Sequence, residues 1–214
     1  MAQAPTTTND ELVAKVTEYV KEYMSKYDAS HDFNHIRRVV SLAHRIYAQS
    51  PATPALDKHT ITLAALLHDV GDRKYLQPGE DASTLVSTVL QSLGVDAELA
   101  ARVQAICLGV SYSSEIKDPT RVRTLIAAHP ELAVVQDADR LDAIGAVGVG
   151  RCFTFGGAKG SRSLDDSILH FEEKLVKLEG MMKTDAGREL ARERTRRIQT
   201  FMEWWQDEAG PVSA

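Results

Sequence analysis

The sequence predicts an all-α fold. Apolar residues recur at intervals of three and four, the runs are bounded by cap residues, glycine or proline, and no alternating run with hairpin chemistry occurs. The first helix starts near Asn9 or Asp10, with Leu12, Val16, Tyr19, Val20 and Tyr23 as its apolar stripe. Further helices are expected over 35–49, 57–70, 81–93, 96–108, 120–128 and 131–146, then over 165–178. A long last helix, 185–207, carries Ile198, Phe201, Met202 and Trp205 on one face. Residues 148–161 are rich in glycine and are expected to form a loop between helices, with backbone N–H groups able to cradle a phosphate. The segment lacks the GxxxxGK[ST] spacing and follows no expected strand. The charge-dense run 188–197 places Glu189 and Glu193 at helical spacing from Arg192, Arg196 and Arg197, the pattern of a solvated helix face.

Composition narrows the class. With 214 residues, 43% of them hydrophobic and 26% charged, the chain is globular, which excludes a collagen-like fibre, a disordered tail and a small disulfide scaffold. A chain of this length buries on the order of 70% of its unfolded surface, so one domain is expected across residues 1–214, with a helical core over about 9–208. No stretch approaches the ~20 apolar residues that cross a bilayer, and the start has neither the basic nor the apolar region of a secretory signal. A cytoplasmic protein with no membrane partner is the expectation. Cys107 and Cys152 have no CxxC spacing, so neither a disulfide framework nor a zinc ribbon is expected, and the compartment reads as reducing. A net charge of −5 argues against a nucleic-acid partner and favours small-molecule chemistry.

Three clusters carry the chemistry. His31 and His35 lie four apart, so both imidazoles fall on one face at the start of a helix. His68 and Asp69 follow the apolar run Leu63 to Leu67, and a charged Asp at the inward end of an apolar helix needs a partner, which a divalent cation supplies. Asp137, Asp139 and Asp142 set acids against a third apolar helix, with Asp139 and Asp142 on one face. Singly each is a weak signal, since a His at a helix start is more often a cap or a satisfied core residue.

In the order His, His-Asp, Asp across three helices, the sequence resembles the HD-domain metal-dependent phosphohydrolases. The strings HDFNHIRRV, LAALLHDVGDRKY, VVQDADRLDAIGAVGVGR, HFEEKLVKLEGMMKT and GRELARERTRR extend the resemblance, to the YpgQ/YedJ-like group, over nearly the whole chain. It implies a single HD-type helical domain with His35, His68, Asp69 and Asp139 as metal ligands. That mixed nitrogen and oxygen set suits a six-coordinate ion, with Mn²⁺ favoured and Mg²⁺, Fe²⁺, Co²⁺, Ni²⁺ or Zn²⁺ as alternatives. Residues 105–112 lack the histidines that hold a second ion in some relatives, so one metal is expected.

Asp72, His31 and Asp32 stand next to the ligands, where acid/base groups are expected. Asp72 is the candidate base that assists the attacking water, against the plainer reading of a solvated residue beyond a helix that ends at Gly71; His31 has the alternative of a helix N-terminal contact. Asp142 either orients Arg140 or caps a turn. Arg73, Lys74, Arg140, Arg151, Lys159, Arg162 and Lys174 are the candidate substrate-binding cations, because one divalent ion cannot neutralise a triphosphate. His170 and Lys174 lie four apart on one helix face and recur in the resemblance.

The resemblance narrows the expected activity to hydrolysis of (deoxy)nucleoside triphosphates to monophosphate and diphosphate. The alternatives are a nucleoside 5'-monophosphate phosphatase and a degenerate, nucleotide-binding regulatory module. Retention of all four ligands counts against the last, since a pure binding module needs no open metal site. A nucleic-acid hydrolase is disfavoured by the net acidity.

Overall fold

The computed structural model describes residues 8–51, 55–72, 76, 78–160 and 162–210. Among them are eleven α-helices, one 3-10 helix and no strand. Helix α1 (Asn9–Met24) is closed by a capping box, in which the Thr8 hydroxyl accepts from the Glu11 N–H and the Glu11 carboxylate accepts from the Thr8 N–H. Its stripe Leu12, Val16, Val20, Tyr23 and Met24 is buried.

Helices α2 (Phe33–Ala48) and α3 (Lys58–Leu67) are each started by an aspartate, Asp32 and Asp57, whose side chain accepts from two backbone N–H groups of the first turn. Such a cap contributes about 1 kcal/mol. In α3 every residue from Thr60 to Leu67 is buried, because α1, α2, α5 (Ala97–Val110) and α8 (Glu131–Asp142) surround it. Helix α2 packs chiefly on α3 and α8, so these three helices form the centre of the molecule.

The remaining elements brace that centre. Helix α4 (Leu85–Ser92) packs on α5, while α6 (Tyr112–Lys117) and α7 (Pro119–Ala128) follow it in the chain. Helices α9 (Gly145–Lys159) and α10 (Leu164–Glu173), the 3-10 helix Leu175–Met181 and the long α11 (Asp185–Ala209) make the other side. Asp137 of α8 ties the two parts together: its carboxylate accepts from the N–H groups of Lys183 and Thr184 and from the Thr184 hydroxyl at 2.7–3.1 Å, just ahead of α11.

Several boundaries differ from the sequence expectation. The third helix ends at Leu67, not near residue 70, because the His68 side chain takes up the Ala65 carbonyl and the chain reverses through Gly71 at φ +80°. The helix expected over 131–146 is broken at Asp142, and the one expected over 165–178 changes to 3-10 after Glu173. The helix expected from residue 81 begins at Leu85, after a turn in which Asp81 holds Ser83. Helix α6 has no counterpart in the sequence expectation.

The largest correction concerns residues 148–161, where a helix, α9, runs to Lys159 in place of the expected glycine-rich loop and stops at the left-handed Gly160. Its N–H groups are committed to helical hydrogen bonds, so a backbone cradle for phosphate is not formed there. At Gly148 the glycine serves closeness: a Cβ there would lie 2.2 Å from the Ala143 carbonyl oxygen.

Candidate metal centre

The first turn of α2, the end of α3 and the last turn of α8 converge on one point. His35 is placed there by the Asp32 cap, which accepts from its N–H at 3.2 Å, and by the packing of Ile36, Val39 and Leu42 below it. His68 closes α3, and Asp69 follows in the turn that the Gly71 N–H secures by donating to the Tyr23 hydroxyl at 3.3 Å. Asp139 and Asp142 project from α8 one turn apart.

Hydrogen bonding fixes how each imidazole presents itself. His35 Nδ1 lies 2.8 Å from Asp142 Oδ2, and a carboxylate only accepts, so Nδ1 carries the proton. His68 Nδ1 lies 2.9 Å from the Ala65 carbonyl and is protonated for the same reason. Both Nε2 atoms are therefore lone-pair acceptors, and they face each other at 3.2 Å. Asp69 reaches this pair at 3.3 Å from His35 Nε2 and 3.5 Å from His68 Nε2. Asp139 Oδ1 stands 3.6 Å and 3.7 Å from the same two nitrogens.

Two lone pairs and two carboxylates turned toward one point, in a centre where both histidines are about 1% exposed, are stable only around a positive charge. Asp69 Oδ2 is buried without a hydrogen-bond partner, as expected of an oxygen reserved for an ion. One atom each from His35, His68 and Asp139 lie within 4.8 Å of one another. In the ion-free protein a proton takes the cation's place: burial opposes charge on His68, but the Asp69 and Asp139 carboxylates more than reverse this and push it up to about 9. Against the same effect of burial, His68 and His35 hold Asp69 and Asp139 below the usual carboxylate range.

The HD domain family model matches residues 32–144, more than half the chain, and spans all three contributing helices. The chain belongs to the HD domain family. It is 40% identical over 168 residues to the Bacillus subtilis protein YpgQ, a match covering 76% of each chain. The crystal structure of B. subtilis YpgQ in complex with ADP superimposes with a TM-score of 0.75 at 34% identity, covering 94% of this chain and 100% of the other. An HD-superfamily hydrolase from Bacillus thuringiensis gives a TM-score of 0.69 at 34% identity, over 94% of this chain and 98% of the other. The fold is that of the HD-superfamily hydrolases, a helical scaffold for a divalent metal.

Around the HD centre the other candidate residues separate. His31 lies beside it, its ring edge-on to His35 with centroids 6.0 Å apart and to Phe155 of α9 at 5.5 Å. Asp32 is the cap of α2, its oxygens engaged by the Asn34 and His35 N–H groups and the Asn34 amide. Asp72 is half-buried, immediately past Gly71, with its N–H 3.3 Å from the Asp69 carbonyl oxygen. Arg73 and Lys74 lie outside the described residues.

Arg140 departs furthest from its expected role. It is 2% exposed and points from α8 toward α6, where it pairs with Glu115, while it also donates to Gln136 one turn back on its own helix at 3.1 Å. Adjacent helix positions differ by about 100°, so a residue next to Asp139 faces another part of the core. Lys183 joins the same Glu115 at 2.9 Å. Lys159 is exposed at the end of α9, Arg162 follows in the connection to α10, and the Lys174 ammonium sits 4.5 Å from the Tyr112 ring centre. Next to those two cations, burial and the charges of Arg162 and Lys174 push His170 down to about 4.

Asp142 and Arg38 complete the centre, and sequence reasoning misassigned the first and passed over the second. Asp142 orients His35 and not Arg140. It also receives Arg38 through two N–H groups at 2.7 and 3.0 Å and Arg151 Nη1 at 3.2 Å. Burial opposes its charge, but the His35 and Arg38 hydrogen bonds hold the carboxyl well below the usual range. The available signal was spacing, since Arg38 is three residues past His35 and Asp142 three past Asp139.

Proposed function

We propose that this protein is a metal-dependent phosphohydrolase that converts (deoxy)nucleoside triphosphates to monophosphate and diphosphate. The convergence of His35, His68, Asp69 and Asp139 as four acceptors on one point carries the reading. These residues hold one divalent ion, and their mixed nitrogen and oxygen donors favour Mn²⁺. When bound, such an ion supplies Lewis acidity toward a phosphoryl oxygen and lowers the pKa of water beside it. The similarity to a protein whose structure contains ADP supports a nucleotide as the ligand.

The chain's own groups divide the remaining work. Asp72, beyond the turn that holds Asp69, accepts the proton of the attacking water, and His31, edge-on to His35, is placed to serve the same water. Attack at the α-phosphorus forms the new P–O bond as the bond to the bridging oxygen breaks and diphosphate leaves. Arg73, Lys74, Lys159, Arg162 and Lys174 offset the charge of the phosphate chain.

The test is incubation of purified protein with nucleoside mono-, di- and triphosphates under a panel of divalent ions, separating phosphate from diphosphate. Diphosphate from triphosphates, abolished by chelation, is expected. Phosphate released from monophosphates identifies a phosphatase instead, and binding without turnover identifies a regulatory module.

A further inference from the structure

Arg151 is a candidate for phosphate binding by sequence, but its side chain is only 13% exposed and its guanidinium is occupied within the protein. From the second turn of α9, Nη1 reaches Asp142 Oδ2 at 3.2 Å while Nε donates to the Ser30 carbonyl at 2.7 Å. Each acceptor belongs to a residue that supports a different imidazole. Asp142 accepts from His35 Nδ1. The Ser30 hydroxyl donates to the Asp28 carboxylate, so its oxygen is left to accept from His31 Nδ1, 2.6 Å away.

We propose that Arg151 is a positioning residue: by holding Asp142 and the Ser30 carbonyl together, it fixes the tautomer and orientation of His35 and His31 as one unit. The inference rests on the metal-centre reading. The planar guanidinium suits the task because its N–H groups point in fixed directions, which a lysine ammonium on a flexible stem does not reproduce. Ser30 is fully buried and Asp142 is 1% exposed, so in the intact protein both contacts are shielded from water. Arg38 also engages Asp142, so removal of Arg151 loosens the arrangement without leaving that carboxylate unpaired.

The experiment uses full-length ion-free protein, with the histidine tautomers read from ¹⁵N NMR and Mn²⁺ affinity from calorimetry. Wild type is expected to show both His31 and His35 protonated at Nδ1 only. In Arg151→Gln both imidazoles are expected to show mixed tautomers, and Mn²⁺ affinity to fall about 10-fold or more, as when an outer support of a ligand histidine is lost. Arg151→Lys, which keeps the charge but not the fixed N–H directions of the guanidinium, is expected to show mixed tautomers in at least one of the two imidazoles; it gives the same reading if the Gln variant is too unstable. Unchanged tautomers and Mn²⁺ affinity with weakened nucleotide binding would make Arg151 a substrate contact, and no change in any of the three makes it a packing residue; either overturns the proposal. No nucleotide is needed for the two main readings, so they stand or fall independently of which substrate is hydrolysed.

Discussion

The Nε2 atoms of His35 and His68 face each other at 3.2 Å, each with its Nδ1 proton already given to a buried oxygen. Two lone pairs at that distance repel, and the carboxylates of Asp69 and Asp139 beside them add negative charge. A cation converts the arrangement from a liability to a source of stability, because it binds the folded chain and has no assembled site in the unfolded one. Adding Mn²⁺ to chelated protein is therefore expected to raise Tm; at 100 times Kd the gain is ~2.7 kcal/mol, several degrees for a chain of this size. A thermal melt unaffected by Mn²⁺ and by chelator contradicts the assignment.

Protons compete for the same place. His68 rises from 6.5 to about 9 in the ion-free protein. A group whose pKa is raised on folding contributes stability that is fully present below its unfolded value and is lost as pH rises through the folded value, here between pH 6.5 and about 9. An ion must displace that proton, so Mn²⁺ affinity is expected to climb across this window, by up to about tenfold per pH unit, and to level off above it. Calorimetry in buffers of different ionisation enthalpy reads the released proton directly; an affinity constant across the window refutes the competition.

Asp69 and Asp72 are expected to fail differently. Asp69→Asn removes a charge from the ion's surroundings, so metal content and turnover fall together. Asp72→Asn keeps the shape of a residue past the turn but cannot accept a proton, and turnover is expected to fall ~10²- to 10⁴-fold with metal content unchanged. Metal analysis beside steady-state rates separates the two. Loss of metal in the Asp72 variant makes it a ligand, and full turnover makes it a solvated residue.

Gly148→Ala tests why the glycine-rich segment is helical. The new Cβ would meet the Ala143 carbonyl 2.2 Å away, and backbone at the α8–α9 junction cannot turn aside as a side chain can. A destabilisation of about 1–3 kcal/mol is expected, with Arg151, one turn on, displaced from Asp142. Chemical denaturation measures the loss; an undiminished midpoint means the junction relaxes freely.

The periodicity of Leu12 to Tyr23 and of Ile198 to Trp205, and the aspartates that open α2, α3 and α5, are local properties, so the sequence determined helices there and an all-α fold with them. Asp69 pointed to an ion for a similarly local reason, since a charged residue at the end of an apolar run needs a counter-charge, whereas the full set His35, His68, Asp69 and Asp139 was implied by the resemblance of its order to HD domains. Which polar group met which was decided only by packing. Asp142 finds His35 across 107 positions, Arg140 finds Glu115 across 25, and Arg151 meets Ser30 across 121, and no spacing rule reaches that far. Gly148 of α9 carried no local sign that it serves close approach and not a left-handed turn, because the same missing Cβ permits both. Only the backbone of Ala143, brought against Gly148 by the tertiary fold, distinguishes them.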